Sequence, residues 1–174
     1  MKTVFFLTIM SGMKGKTLRL YNILFPIWLL VWFPSLLWLL LIPGNFLIDY
    51  LVLRLSLQKM GEDVSYATEN VWKVCLYGFL SDFAGAAVLF GAMMIGGDIS
   101  LTYSSALNMN PFRHPAALLT VFVSIVVAGF LIYILDKRLF RKDFSEEKAS
   151  RLALNMALFT APYLFLFPST LLYP

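Results

Sequence analysis

The sequence has little charge and no long polar stretch. Charged residues make up 14% of its 174 residues and hydrophobic residues 60%, whereas soluble domains are about a quarter charged and about half apolar. Its polar stretches reach about twenty residues at most, and a separate globular domain needs about fifty. A water-soluble domain is therefore excluded, and we expect a single integral membrane domain.

Cysteine and histidine are nearly absent, with one residue of each. Cys75 has no second cysteine for a disulfide within the chain, and in an apolar segment it is expected to pack as a small hydrophobic side chain. His114 has no neighbouring ligand residue, so the spacing of a zinc site or of a paired-histidine haem site is missing. Neither a metal nor a cofactor is predicted.

Catalytic signatures are also missing. The chain has no nucleophile elbow, no HExxH helix, no Walker A loop and no clustered acidic motif, so neither enzyme activity nor a catalytic residue is predicted. One enzymatic alternative stays open, because Asp49 and Asp82 lie in apolar segments and could form an aspartyl pair. Asn45 followed by Asp49 resembles the asparagine–aspartate pattern of lipoprotein signal peptidases, with a spacing that differs by one residue and no second asparagine motif around Asp82. That resemblance implies an intramembrane aspartyl hydrolase.

What the chain has instead is long apolar segments. Four of them have about the twenty residues needed to span a hydrocarbon core of about 30 Å, and they cover residues 21–42, 74–95, 116–135 and 152–173. A shorter apolar stretch, residues 46–58, follows the turn-forming dipeptide Pro43-Gly44. We therefore predict an all-α, polytopic membrane bundle of about five transmembrane segments, one of them short or re-entrant. Residues 1–20 form a cytoplasmic or interfacial segment and residues 21–174 the transmembrane domain.

Basic residues predict the orientation. Twelve of the fourteen Lys and Arg residues fall in three clusters, within residues 2–19, 59–73 and 136–151, and such residues stay on the cytoplasmic side. We predict a cytoplasmic N-terminus, a cytoplasmic loop at residues 136–151, an external loop at residues 96–114 and an external C-terminus, in an inner or plasma membrane. This topology accounts for the net charge of +4, so nucleic acid is not predicted as a partner.

Two paths for residues 21–58 satisfy this orientation. In one, residues 46–58 form a short fifth crossing that begins at an external turn at Pro43-Gly44. In the other, residues 21–58 form a re-entrant hairpin that is broken at its three prolines and buried in protein. Asp49, about six residues from the external turn, lies about 9 Å below the outer surface, and Asp82, thirteen residues before Ile95, lies about 20 Å below it, a difference that argues against an aspartyl pair.

Polar residues inside the apolar segments are the candidates for an ion or substrate path. Asp82 lies nine residues after Lys73, about 14 Å along a helix and near the midplane, where a carboxylate usually faces a cavity or a partner charge. The other candidates are Asp49, Arg54 and Asn155. Structural alternatives stay open for all four: hydrogen bonds between helices for Asp82 and Asn155, headgroup water for Asp49 and snorkelling for Arg54.

Small residues predict a packing face on the helix of Asp82. Gly78, Ser81 and Gly85 lie three and four residues apart, a spacing that forms a narrow stripe where another helix approaches closely. Five helices rarely enclose a cavity alone, so we expect this stripe to contact a second copy of the chain or another membrane subunit.

The predicted function is a channel- or transporter-like path for an ion or small solute, formed in the lipid bilayer by an oligomer. The main alternative is a non-transporting subunit that assembles with, anchors or regulates a larger membrane complex. A small-residue stripe and a buried aspartate serve assembly equally well. The aspartyl hydrolase is the third hypothesis.

Overall fold

The computed structural model describes residues 26–31 and 38–171, so the predicted segment 1–20 lies outside the described residues. Within these ranges all regular structure is helical, which confirms the predicted all-α fold. The five α-helices are α1 (Trp38–Lys59), α2 (Ser65–Ile99), α3 (Leu101–Met109), α4 (Pro115–Phe140) and α5 (Glu146–Thr160). Four short 3-10 helices accompany them, at Ile27–Val31, Pro111–Arg113, Tyr163–Leu166 and Ser169–Leu171.

Three of these helices, α1, α2 and α4, are by length and composition able to cross a membrane. Their 22, 35 and 26 residues correspond to about 33, 52 and 39 Å at a rise of 1.5 Å per residue. A hydrocarbon core is about 30 Å thick. Helix α1 therefore matches such a core, and α2 is long enough to extend past it.

Helix α1 corrects the predicted turn at Pro43-Gly44. Pro43 lies inside the helix and near its start, so its missing N–H leaves only the Leu39 carbonyl without the usual helical partner. Residues 46–58 are therefore the second half of a full-length helix, not a short crossing or one arm of a hairpin. The predicted helix over residues 21–42 is not continuous, because residues 27–31 form a 3-10 helix.

The last apolar segment, predicted to span the membrane over residues 152–173, breaks at Pro162. Helix α5 ends at Thr160, and the chain continues through two 3-10 helices. Pro162 has no N–H to offer the carbonyl of Leu158, and the Tyr163 hydroxyl donates to that carbonyl at 2.6 Å. The proline thus ends the helix without leaving this acceptor unpaired.

Two polar turns meet at one end of the bundle, which we call the polar-turn end: the α1–α2 turn and the α4–α5 turn. The Lys148 ammonium pairs with the Glu62 carboxylate, and the Tyr66 hydroxyl donates to the Asp143 carboxylate at 3.0 Å. The basic regions around both turns therefore share one end, as their charge predicts. Helix α3 lies at the opposite end, called the α3 end.

Charged side chains also bridge the α4–α5 turn. The Glu146 carboxylate accepts from Lys137 at 2.8 Å and from Arg141 at 2.7 Å. The hydrogen bond from Lys137 is the main cause that holds the pKa of Glu146 below its usual range. Because Glu146 and Arg141 are exposed, these pairs orient the turn more than they stabilise the fold.

The small-residue stripe of α2 packs against α4 at Gly85. A Cβ added there would lie 3.1 Å from the Ala128 Cβ and 3.2 Å from the Ser124 carbonyl oxygen. The Ser124 hydroxyl donates to the Gly85 carbonyl at 2.7 Å. Only a residue without a side chain allows this approach of the two backbones.

The rest of the stripe also faces the interior of the chain. Gly78 lies against Asp49 of α1, and Ser81 is fully buried and donates to the Tyr77 carbonyl at 2.8 Å. The stripe therefore packs against helices of the same chain, and it supplies no argument for contact with a second copy.

Apolar clusters fill both ends of the bundle. At the α3 end, Trp28 is 1% exposed and its indole N–H donates to the Leu107 carbonyl at 3.4 Å. The cluster at the polar-turn end is built by α1, α2, α4 and α5. On α2, Val74 belongs to this second cluster and Ala86 to the first. Asp82 lies between them.

Candidate functional site: an apolar cavity with two carboxyl groups

A cavity of about 450 Å³ lies beside the irregular segment that follows α5. Residues of α1 between Trp38 and Asp49 form one wall, Phe79 and Asp82 of α2 form the second, and residues 159–165 form the third. The third wall exists because the chain turns at Pro162 instead of continuing the helix. The volume falls within the range of about 300–1,000 Å³ that is usual for small-molecule sites.

Asp82 contributes an incompletely paired carboxyl group to the cavity. The residue is 8% exposed, and its Oδ1 atom is buried without a hydrogen-bond partner among the described residues. A buried acceptor left in this way costs about 1–3 kcal/mol. Packing alone does not explain an aspartate at this position.

Asp49 is the second carboxyl group of the cavity and is 5% exposed. It faces α2 at Gly78, where an added Cβ would lie 3.8 Å from its Oδ2 atom. The side chains of Cys75 and Thr160 lie beside it. Asp49 is also close enough to Asp82 to act on it electrostatically, so the structure brings these two predicted candidates together.

The two carboxyl groups lie about one helical turn apart in depth, which corrects the expected difference. Asp49 lies level with Gly78 of α2, where an added Cβ would lie 3.8 Å from its Oδ2 atom, and Asp82 follows Gly78 by four residues, about 6 Å of helix. The expected difference assumed that α1 began at an external turn, whereas α1 continues through Pro43.

The other two candidates lie outside the cavity. Arg54 is exposed, donates to the Tyr50 hydroxyl at 2.7 Å and has its guanidinium carbon 5.8 Å from the centre of the Tyr50 ring. The Asn155 amide donates to the Ser56 hydroxyl at 3.1 Å and links α5 to α1. Both side chains have local partners that account for their positions.

A third buried carboxyl group, Asp136 of α4, was not among the sequence candidates. It is 0% exposed, and both of its carboxyl oxygens lack hydrogen-bond partners in the described part of the chain. It is close enough to Asp49 to act on it electrostatically. Because Lys137 and Arg138 follow Asp136 directly, the sequence places Asp136 in the basic cluster.

A helical pattern would have found Asp136. The buried residues of α4 recur at three- and four-residue steps, and the series runs Val121, Ser124, Ala128, Ile132 and Asp136. The residue four positions after Ile132 falls on the same buried face. A charged residue on that face is the signal that the basic cluster obscured.

Metal ligands are not grouped in the described ranges: no three His, Cys, Asp or Glu side chains there are arranged to hold an ion. His114 lies apart from the two carboxyl groups, in a separate pocket at the α3 end beside Tyr103. The ring centres of His114 and Tyr103 are 5.8 Å apart. The carboxyl groups of the cavity are those of Asp49 and Asp82, and Asn45 and Thr160 add an amide and a hydroxyl to its wall.

Comparison with known proteins gives no similarity on which a function could rest. No protein-family model, curated protein or solved structure matches this chain at a significant level.

Proposed function

We propose that this chain is an integral membrane protein that provides a path for an ion or small solute, and that the cavity holding Asp49 and Asp82 is its binding site. The observation that carries the proposal is Asp82, which lines the cavity and whose buried Oδ1 atom has no hydrogen-bond partner among the described residues. A carboxyl group in an apolar membrane interior usually marks a substrate or ion pathway.

The polar links between helices support a binding role for Asp82 over a structural one. Ser124 connects α4 to α2 through the Gly85 carbonyl, and Asn155 connects α5 to α1 through Ser56. These two contacts use no carboxyl group. Besides the charged contacts at the polar-turn end, neutral hydrogen bonds therefore join helices of the bundle, as is common in membranes, and they leave the Oδ1 atom of Asp82 unused.

The proposed topology places α1, α2 and α4 across the bilayer, with the polar-turn end in the cytoplasm because of its basic residues. The chain from α5 to Ser169 returns to the α3 end, since Ser169 there accepts from the Ile27 backbone. We propose that a second copy or another membrane subunit completes the path.

The test is flux through purified protein reconstituted in liposomes, measured for protons and small cations. Asp82→Asn and Asp49→Asn keep the shape of each side chain and remove its charge, and we expect each to lower flux by about tenfold or more. Glu69→Gln is the matched control, because Glu69 is exposed on the same helix as Asp82.

Elution volume and thermal unfolding in detergent establish that each variant is folded. Wild-type flux in a folded Asp82→Asn protein would remove the cavity from any path. A wild-type protein that conducts nothing but copurifies with a membrane complex would instead favour the non-transporting subunit.

The presence of Asp49 and Asp82 in one cavity also favours a second candidate, the intramembrane aspartyl hydrolase. Such an enzyme needs two carboxyl groups that share a proton and activate a water molecule. The test is cleavage of membrane-embedded peptides by the purified protein. Cleavage lost in both Asn variants would support it, and no cleavage by the wild-type protein would exclude it for those substrates.

A further inference from the structure

The wall of the cavity is chemically unlike that of a site for a bare inorganic ion. Five of its residues are aromatic, namely Trp38, Phe79, Phe159, Tyr163 and Phe165, and most of the others are aliphatic. Hard cations such as Ca²⁺ prefer six to eight oxygen ligands. Besides the two carboxyl groups, the lining includes the polar side chains of Asn45 and Thr160, and no three His, Cys, Asp or Glu side chains in the described ranges are grouped to hold an ion.

The cavity holds two carboxyl groups and no basic residue in its described wall. Its described lining residues include Asp49 and Asp82 but no Lys, Arg or His. The ion pairs found in the described ranges belong instead to the polar-turn end and involve Glu62, Glu146 and Glu147. An occupant that brings one positive charge would favour ionisation of a carboxyl group there and would meet no competing cation in the described wall.

The size and the surface of the cavity favour an occupant with an apolar body. A volume of about 450 Å³ is that of a small-molecule site. Aromatic faces attract organic cations, and the attraction grows when the cation is removed from water. Each buried apolar group of the occupant adds to its binding through the hydrophobic effect.

Part of the cavity wall lies at the exposed apolar surface of the described structure. Among its lining residues, Leu40 is 72% exposed and Phe159 is 66% exposed in the described structure. Such apolar side chains on the outside of a membrane bundle contact lipid. An amphiphilic molecule that is already dissolved in the bilayer can reach the carboxyl groups by this route.

We propose that the cavity binds a hydrophobic organic monocation, such as an ammonium or phosphonium ion with apolar substituents, which enters from the bilayer and pairs with Asp82 and Asp49. The inference rests on the proposed function, because it names the solute class for the same site.

The experiment is equilibrium binding of tetraphenylphosphonium to the full chain in lipid nanodiscs. Tetraphenylborate has the same shape and the opposite charge, so it is the matched probe. We expect saturable binding of the cation, no saturable binding of the anion, and an affinity for the cation that falls by about tenfold or more in Asp82→Asn. Glu69→Gln should bind as the wild type does.

A second variant keeps the proposal testable if Asp82→Asn does not fold. Phe79→Leu retains an apolar wall but removes an aromatic face, and we expect it to weaken cation binding by several-fold. Equal binding of tetraphenylborate, or unchanged cation affinity in the folded Asp82→Asn and Phe79→Leu proteins, would overturn the inference.

The outcomes separate this inference from the proposed function. Flux of protons or inorganic cations that depends on Asp82, together with no binding of tetraphenylphosphonium, would keep the path and reject the organic-cation site. Binding that depends on Asp82 without any flux would keep the site and reject the path.

Discussion

At the scale of single residues, the main feature of the bundle is that three of its helices each bury a carboxyl group. Asp49, Asp82 and Asp136 belong to α1, α2 and α4, and Asp49 is close enough to the other two to act on them electrostatically. Asp49 and Asp82 share the cavity. Asp136 is fully buried, and its oxygens have no partner in the described ranges.

Because both carboxyl oxygens of Asp136 are buried without a partner in the described ranges, we predict that this residue lowers the stability of the fold. Replacing it in Asp136→Val removes two unpaired acceptors, and we expect the free energy of unfolding to rise by about 1–2 kcal/mol. Asp143→Val is the matched control and should lose stability, because the Asp143 carboxylate accepts from Tyr66 at 3.0 Å. Thermal unfolding in detergent measures both. Lower stability in Asp136→Val would show that its carboxyl group is stabilising.

The sequence identified two of these carboxyl groups because each interrupts an apolar segment. It placed them at different depths, since one proline decided where α1 was expected to begin. The aromatic wall at residues 159–165 could not be predicted, because its position depends on how the chain packs after the break at Pro162. A charged residue in an apolar segment is visible in the local sequence, whereas the wall of a cavity depends on tertiary packing.

At the scale of elements, two prolines in apolar segments have opposite outcomes. Pro43 lies inside α1, whereas α5 ends two residues before Pro162. Near the start of a helix, a proline disturbs few backbone hydrogen bonds. At Pro162 the Tyr163 hydroxyl takes the carbonyl that the proline leaves unpaired. The sequence shows both prolines, but their positions relative to the helix ends, which it does not show, distinguish the two outcomes.

The contact between α2 and α4 gives a prediction for this scale. Gly85→Leu should lower the free energy of unfolding by about 1–3 kcal/mol or more, because a side chain there collides with the Ser124 carbonyl and Ala128. Gly91→Leu is the control on the same helix, since no atom lies within 4 Å of a Cβ added at Gly91.

Helix propensity favours leucine over glycine by about 0.8–1 kcal/mol, so Gly91→Leu should be neutral or slightly stabilising. Thermal unfolding and elution volume in detergent decide the matter. A Gly85→Leu protein as stable as the wild type would contradict the close approach of α2 and α4.

At the scale of the whole molecule, the pairing of the two polar turns defines one end of the bundle. Residues 74–95 and 116–135, predicted as crossings, lie inside α2 and α4, so length and hydropathy were sufficient for these two helices. They were insufficient for residues 21–42 and 152–173, where prolines and 3-10 helices interrupt the pattern. Orientation in the bilayer rests on the basic residues alone.

Cysteine labelling tests that orientation. In a Cys75→Ala background, an impermeant maleimide added outside intact cells should label Ser105→Cys at the α3 end and leave Ser145→Cys at the polar-turn end unlabelled. Both positions are exposed. Permeabilised cells provide the control, because position 145 should then react. Labelling of position 145 in intact cells would reverse the topology.

The hydrogen bond from the Ile27 backbone to the Ser169 hydroxyl connects positions 142 residues apart. During synthesis, the chain must emerge as far as Ser169 before this contact can form. Trp28 lies in the same apolar cluster as Phe165, so its packing is also completed only then. The polar-turn end is built around turns between helices that are neighbours in the sequence, so we expect it to assemble before the α3 end.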